Sequence, residues 1–149
     1  MPCYNVADWV ALNIQITKQQ SFSKFECHII NDGSTDNSED IILENIKGDP
    51  RFVYHKNETN TGSSLYSYYK TFHKINPDDQ DIIIWLDGDD WFSSVFVLQY
   101  LDQYYDFTKC WMTYGTYQIS PTGKVGSHHC IDIPKEVHEE HAYRQWMHV

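Results

Sequence analysis

The stretch IIIWLDGDDWF, residues 82–92, is a run of apolar side chains ending in three carboxylates within four positions, Asp87, Asp89 and Asp90. A run that is apolar at every position reads as a strand buried on both faces, the pattern of a central parallel strand. Carboxylates that close repel one another, and each loses hydration if it leaves water. A divalent cation, solvent exposure or a basic partner can offset that repulsion. The placement at a strand tip favours a ligand site, because α/β sheets bind ligands at the carboxyl ends of their strands.

Working outward, strand and helix patterns alternate. DWVALNIQITKQQ (8–20) reads as a helix that Asp8 can cap, and FECHIIN (25–31) as a strand. DGSTDNS (32–38) is turn chemistry, followed by a helix over 38–46 with Asp36 or Ser38 as cap. RFVYHK (51–56) is a strand, NETNTG (57–62) a loop and 63–75 a helix. The third strand is 81–86, followed by a helix over 93–105, a strand over 110–120, a turn over 120–126 and a helix over 135–149. The opening MPCYN reads as loop, with no strand before the first helix. This alternation predicts an α/β domain with a mostly parallel central sheet flanked by helices. It is read as a single domain over 1–149, a length that suits one core and not two.

Composition narrows the function. The formal net charge of −10 argues against nucleic-acid binding, which needs clustered Lys and Arg. The four cysteines show no paired spacing, and no run approaches the roughly 20 apolar residues of a spanning helix. The expectation is a soluble, cytoplasmic protein without a transmembrane segment.

Each polar cluster has an ordinary alternative. DGDD suits Mg²⁺ or Mn²⁺, hard cations that take one or two carboxylates together with substrate phosphates, yet it could also be an exposed acidic turn capping the next helix. IINDGSTDNS (29–38) places Asp32 at a strand end, where a carboxylate can accept a base-edge N–H; its ordinary reading is an Asx-turn. An EF-hand is excluded, since Asn37 stands where glycine belongs and Leu43 where the last ligand belongs. Gly62 before a helix lets backbone N–H groups approach a ligand, or simply makes a turn. His128, His129, Cys130, His138 and His141 match no standard zinc spacing.

Together PCYN (2–5), IINDGSTDNS (29–38), NTG (60–62) and WLDGDD (85–90) resemble, in order and spacing over roughly residues 2–120, the motifs of family 2 glycosyltransferases. The resemblance implies the GT-A fold and inverting transfer of a sugar from a UDP-sugar to a hydroxyl of a glycan or other acceptor. It implies Mn²⁺ or Mg²⁺ on Asp89 and Asp87, with Asp90 assisting. Asp32 would contact the uracil, Asp87 and Gly88 would lie near the donor ribose, and Pro2, Tyr4 and Gly62 would line the nucleotide pocket. The family's general base lies beyond the metal motif, where Glu136, Glu139 and Glu140 are the carboxylates at hand. Departures from the pattern are Asn31 in place of an acid, LYSYY (65–69) in place of Ala-Arg-Asn, and the strand expected before PCYN. They suggest a chain truncated at both ends. The alternatives are a non-catalytic nucleotide-sugar- or partner-binding remnant, with homo-oligomer formation left open, and a metal-dependent phosphatase or hydrolase.

Overall fold

The computed structural model describes residues 1–113, 115 and 117–125. By compactness the chain divides into two units, 1–107 and 108–149.

In the first unit, β1 (Pro2–Cys3), β2 (Cys27–Asp32) and β3 (Phe52–Asn57) form a parallel sheet in the order β1-β2-β3. Its register sets Cys3 beside Asn31 and Asp32 beside Asn57. Helix α1 (Val10–Lys18) joins β1 to β2, and α2 (Ser38–Ile46) joins β2 to β3. Both are crossover helices of the kind parallel strands require. α1 buries Val10, Asn13, Ile14 and Thr17, one face at helical spacing. Val10, Ile14, Ile29 and Ile42 are fully buried, and Met1, Cys3, Val6 and Phe52 complete the cluster. Burying such aliphatic side chains is worth about 1.5–3 kcal/mol each.

α3 (Ser64–Ile75) begins at Ser63, whose hydroxyl accepts the Tyr66 N–H at 3.3 Å. It ends at Asn76 in the left-handed conformation, one residue before Pro77. α4 (Val97–Thr108) starts four residues later than its sequence pattern. In the second unit, β4 (Gln118–Ile119) and β5 (Lys124–Val125) pair as an antiparallel hairpin.

Three expectations are corrected. The opening residues are not merely loop: Pro2–Cys3 pairs with Ile30–Asn31. Residues 81–86 are not a strand, and Trp85 is 63% exposed. A strand exists only through its ladder, and β1 offers just two residues. Beside it, the 82–88 segment gains the single bond from the Gly88 N–H to the Pro2 carbonyl, 3.0 Å. An apolar cavity of ≈ 1070 Å³ adjoins the segment, lined in part by Cys27, Ile30, Tyr68, Ile83 and Leu86. Over 110–120, only Gln118–Ile119 is strand among the described residues. The caps differ in part. Trp9 and Asn37 stand at the N-caps of α1 and α2 without a capping side-chain bond, while Asp36 Oδ1 accepts the N–H of Ser38, the first residue of α2, at 3.0 Å. The helix expected over 135–149 lies outside the described residues.

Candidate active site

The site is assembled from the loops at the carboxyl ends of β1, β2 and β3 and from the 87–90 loop, which is bonded to the end of β1. The loop after β1 and the loop after β2 are zipped together. Ser34 Oγ accepts the Asn5 N–H at 3.1 Å, and Asn5 Oδ1 accepts the Thr35 N–H at 2.8 Å. Ser38 Oγ accepts the Val6 N–H at 2.9 Å, and Asp36 Oδ2 accepts the Ala7 N–H at 3.1 Å. Short polar side chains do here what a strand ladder does elsewhere: they satisfy loop N–H groups at the edge of the core.

The loop after β3 crosses directly over Gly33. Gly33 has φ +70°, and a Cβ there would meet Asn60 N at 2.6 Å and Thr59 C at 2.7 Å. Only glycine permits both the left-handed turn and that approach. The contact brings Thr61 to Asp32. Asp32 Oδ2 accepts the Thr61 N–H at 3.0 Å and the Thr61 hydroxyl at 2.8 Å, while Oδ1 accepts from Asn57 Nδ2 at 2.7 Å. Burial works to raise the Asp32 pKa, but hydrogen bonds from Thr61, Asn57 and Ser67 prevail and hold it below the usual carboxylate value.

The fourth loop carries Asp87, Asp89 and Asp90. Gly88 is pressed on β1, where a Cβ would meet Cys3 Sγ at 2.6 Å and the Pro2 carbonyl at 2.9 Å. Asn13, fully buried on α1, donates to the Asp87 carbonyl at 2.9 Å. The Tyr68 hydroxyl donates to Asp87 Oδ1 at 3.4 Å, and its ring stacks on Trp85 with centroids 4.9 Å apart. Burial and then the charge of Asp87 raise the Tyr68 pKa, so the phenol stays a donor. Asp90 is raised too, by burial and then by the charges of Asp89 and Asp87. The repulsion anticipated from the sequence is therefore present at this tip, and among the described residues the buried N-terminal ammonium of Met1 interacts favourably with Asp87. A pocket of ≈ 220 Å³ opens there, lined in part by Tyr68, Trp85, Asp87 and Asp90.

The two acidic clusters thus flank the end of β1, with Asn31–Asp32 on one side and Gly88 on the other. Two interstrand spacings put them roughly 10 Å apart. Other expected residues are placed as follows. Tyr4 is 46% exposed at the same end, Pro2 is buried with its carbonyl held by Gly88, and Gly62 has φ +75° with open space around it. Glu136, Glu139, Glu140 and the histidine–Cys130 group lie outside the described residues. Among the described residues, no three His, Cys, Asp or Glu side chains converge on one point. Sequence reasoning missed Asn13, Asn57, Thr61 and Tyr68. Asn13 was signalled only by a polar side chain on the buried face of α1, and the other three by nothing local.

Fold and site define an α/β domain with parallel strands and carboxylates gathered at their carboxyl ends. The chain belongs to glycosyltransferase family 2: that family's model matches residues 1–129. Membership carries the GT-A fold and makes this a glycosyltransferase-type domain. No curated protein matches the chain. Among the described residues, no helix is long and apolar enough to cross a membrane.

Proposed function

We propose that the chain carries the donor site of an inverting glycosyltransferase that takes a UDP-sugar and a divalent cation, Mn²⁺ or Mg²⁺. The observation that supports this most is the pair of clusters held on either side of β1. Asp32, a carboxylate at the end of β2, suits a base-edge N–H, and the 87–90 carboxylates suit a metal-bound diphosphate. Hard oxygen donors fit such a cation, with Asp89 and Asp87 as its holders and Asp90, whose pKa is raised by burial and then by the charges of Asp89 and Asp87, beside them. Bound there, the cation would neutralise charge developing on the diphosphate.

The chain's own residues supply position. Gly88 on β1 and Asn13 on α1 fix the backbone from which the carboxylates project. Tyr4, at the same end, supplies an exposed ring for the nucleotide. In the transfer, the acceptor oxygen bonds to the anomeric carbon as the bond to the diphosphate breaks. UDP leaves with the electron pair, and the acceptor proton passes to a carboxylate, for which Glu136 and Glu139 are the candidates.

The test is release of UDP from a panel of UDP-sugars with Mn²⁺, for the wild type and Asp89→Asn. Turnover that needs both the cation and Asp89 is expected. Equal turnover in the variant, or turnover of generic phosphate esters without preference for UDP, would reject the assignment.

A further inference from the structure

Strand β1 lies between two other segments. The Met1 carbonyl accepts the Ile30 N–H of β2 at 2.8 Å, and the next carbonyl, that of Pro2, accepts the Gly88 N–H from the other side at 3.0 Å. β1 is thus the middle member between β2 and the 82–88 segment, but only over Pro2–Cys3. Upstream of it the two neighbours border a slot: Met1, Cys27, His28 and Ile30 line the ≈ 1070 Å³ cavity together with residues 82–86. Both walls carry unpaired backbone. Cys27 donates to the Arg51 carbonyl and Ile30 to that of Met1, so alternate residues of β2 face opposite sides. His28 faces the slot with Ile30. Its carbonyl accepts from the Met1 ammonium at 2.9 Å, and among the described residues its N–H has no backbone partner. Among the described residues, 82–85 make no backbone–backbone hydrogen bond either. An unpaired edge facing apolar side chains is a template for a further strand.

Charge selects the occupant. The end of the cavity where β2 and the 82–86 segment begin carries Glu26, Asp78 and Asp81 against Lys24, all exposed. Met1 closes the opposite end with its ammonium, so basic residues suit only the first end. We propose that the slot takes, in trans, an extended segment of a partner polypeptide, apolar over about five residues and preceded by Lys or Arg, which pairs in line with β1 and parallel to β2. Keeping the direction of β1 sets the basic residues beside Glu26, Asp78 and Asp81. A carbonyl of the segment accepts the His28 N–H, and its other edge meets 82–86. Its side chains enter an apolar lining that includes Phe72 of α3 and Leu98 of α4. Main-chain pairing then gives affinity, and the lining and the acidic mouth give selectivity. The inference makes no use of the nucleotide reading and is tested without it.

The experiment follows the fluorescence anisotropy of a labelled synthetic peptide, two lysines followed by alternating isoleucine and valine, as the full chain is titrated in. Saturable binding is expected, with hydrogen-exchange protection rising at His28 and across 82–86. The same peptide N-methylated at alternate residues keeps its side chains and loses ladder donors, and should bind at least about tenfold more weakly. Moving the lysines to its carboxyl end should also weaken it. Ile83 is 44% exposed, so Ile83→Asp should keep the wild-type urea midpoint and weaken the peptide at least about tenfold, because pairing would bury its charge. No binding by the wild type, equal binding of the N-methylated peptide, or unchanged protection at His28 and 82–86 would overturn the proposal. Self-association of the chain alone, seen by sedimentation together with protection of 82–86, would give the slot to a second copy and overturn it too.

Discussion

Gly33→Ala probes the joint between two of the site's loops. The new methyl carries two separate penalties. The first is conformational, because φ is +70° and a non-glycine residue there costs about 1–2 kcal/mol. The second is steric. The added carbon would stand 2.6 Å from Asn60 N and 2.7 Å from Thr59 C, and backbone yields less easily than a side-chain tip. Overpacking of this kind costs about 1–3 kcal/mol more. Gly48 provides the control, with φ +77° and nothing within 4 Å of its Cβ position. Gly48→Ala should therefore show the conformational penalty alone. In urea denaturation followed by tryptophan fluorescence, Gly33→Ala is expected to lose ~2–5 kcal/mol and Gly48→Ala ~1–2 kcal/mol. For a domain with about 5–15 kcal/mol in hand, the larger loss lowers Tm by at least about 10 °C. Equal losses in the two variants would refute the claim that the 57–62 loop rests on Gly33.

Removing the Asn13 amide in Asn13→Ala leaves the Asp87 carbonyl and the Thr17 hydroxyl without their partner, at a cost of about 1–3 kcal/mol. Mn²⁺ affinity, read by calorimetry, should fall with it; unchanged stability and affinity would show that α1 does not hold the 87–90 loop. His55 is kept neutral by burial and then by Lys74 and His28, its pKa lowered from 6.5 to about 4. A depressed histidine binds more protons unfolded than folded, so it contributes stability above about pH 6.5 that is lost as the pH falls toward about 4. Discounted for its partial exposure the loss is on the order of 1 kcal/mol. Denaturation midpoints at near-neutral pH and at about pH 5 should show this slope in the wild type and a shallower one in His55→Gln. Identical slopes would contradict the assignment. Ile14→Ala, in the fully buried cluster, should cost about 2–5 kcal/mol by chemical denaturation.

The parts of this molecule legible in the sequence are those decided locally. β2, β3, α2 and α3 lie within two residues of their predicted bounds, because an apolar run or a helical period followed by turn residues is self-contained information. The 81–86 run failed as a strand because a ladder needs a partner. Apolar character says only that a segment avoids water, and here it lines a cavity without being paired. Of the 110–120 run, Gln118–Ile119 is the part that pairs, with Lys124–Val125. In the site, the position of Asp32 at the end of β2 followed from the alternation of elements, whereas the 87–90 carboxylates follow an unpaired segment and not a strand. The partners of neither followed from it. Asn57 reaches Asp32 because the β2–β3 register sets those two residues side by side, and Thr61 because a loop folds over Gly33. Asn13 and Tyr68 meet Asp87 from helices 74 and 19 residues away in sequence. NETNTG, which has no chemistry of its own when read alone, turns out to hold the carboxylate at the end of β2.

In the proposed function the carboxylates at 87–90 hold a uridine diphosphate through a divalent cation, with Asp32 at its base. Calorimetric titration of UDP into the folded chain, with Mn²⁺ and then with a chelator, tests it most directly. Binding that saturates at one UDP per chain with Mn²⁺, and disappears with the chelator and in Asp89→Ala, is the result this account predicts. Binding unaffected by chelator or by Asp89→Ala, or no binding by a chain shown to be folded, would contradict it.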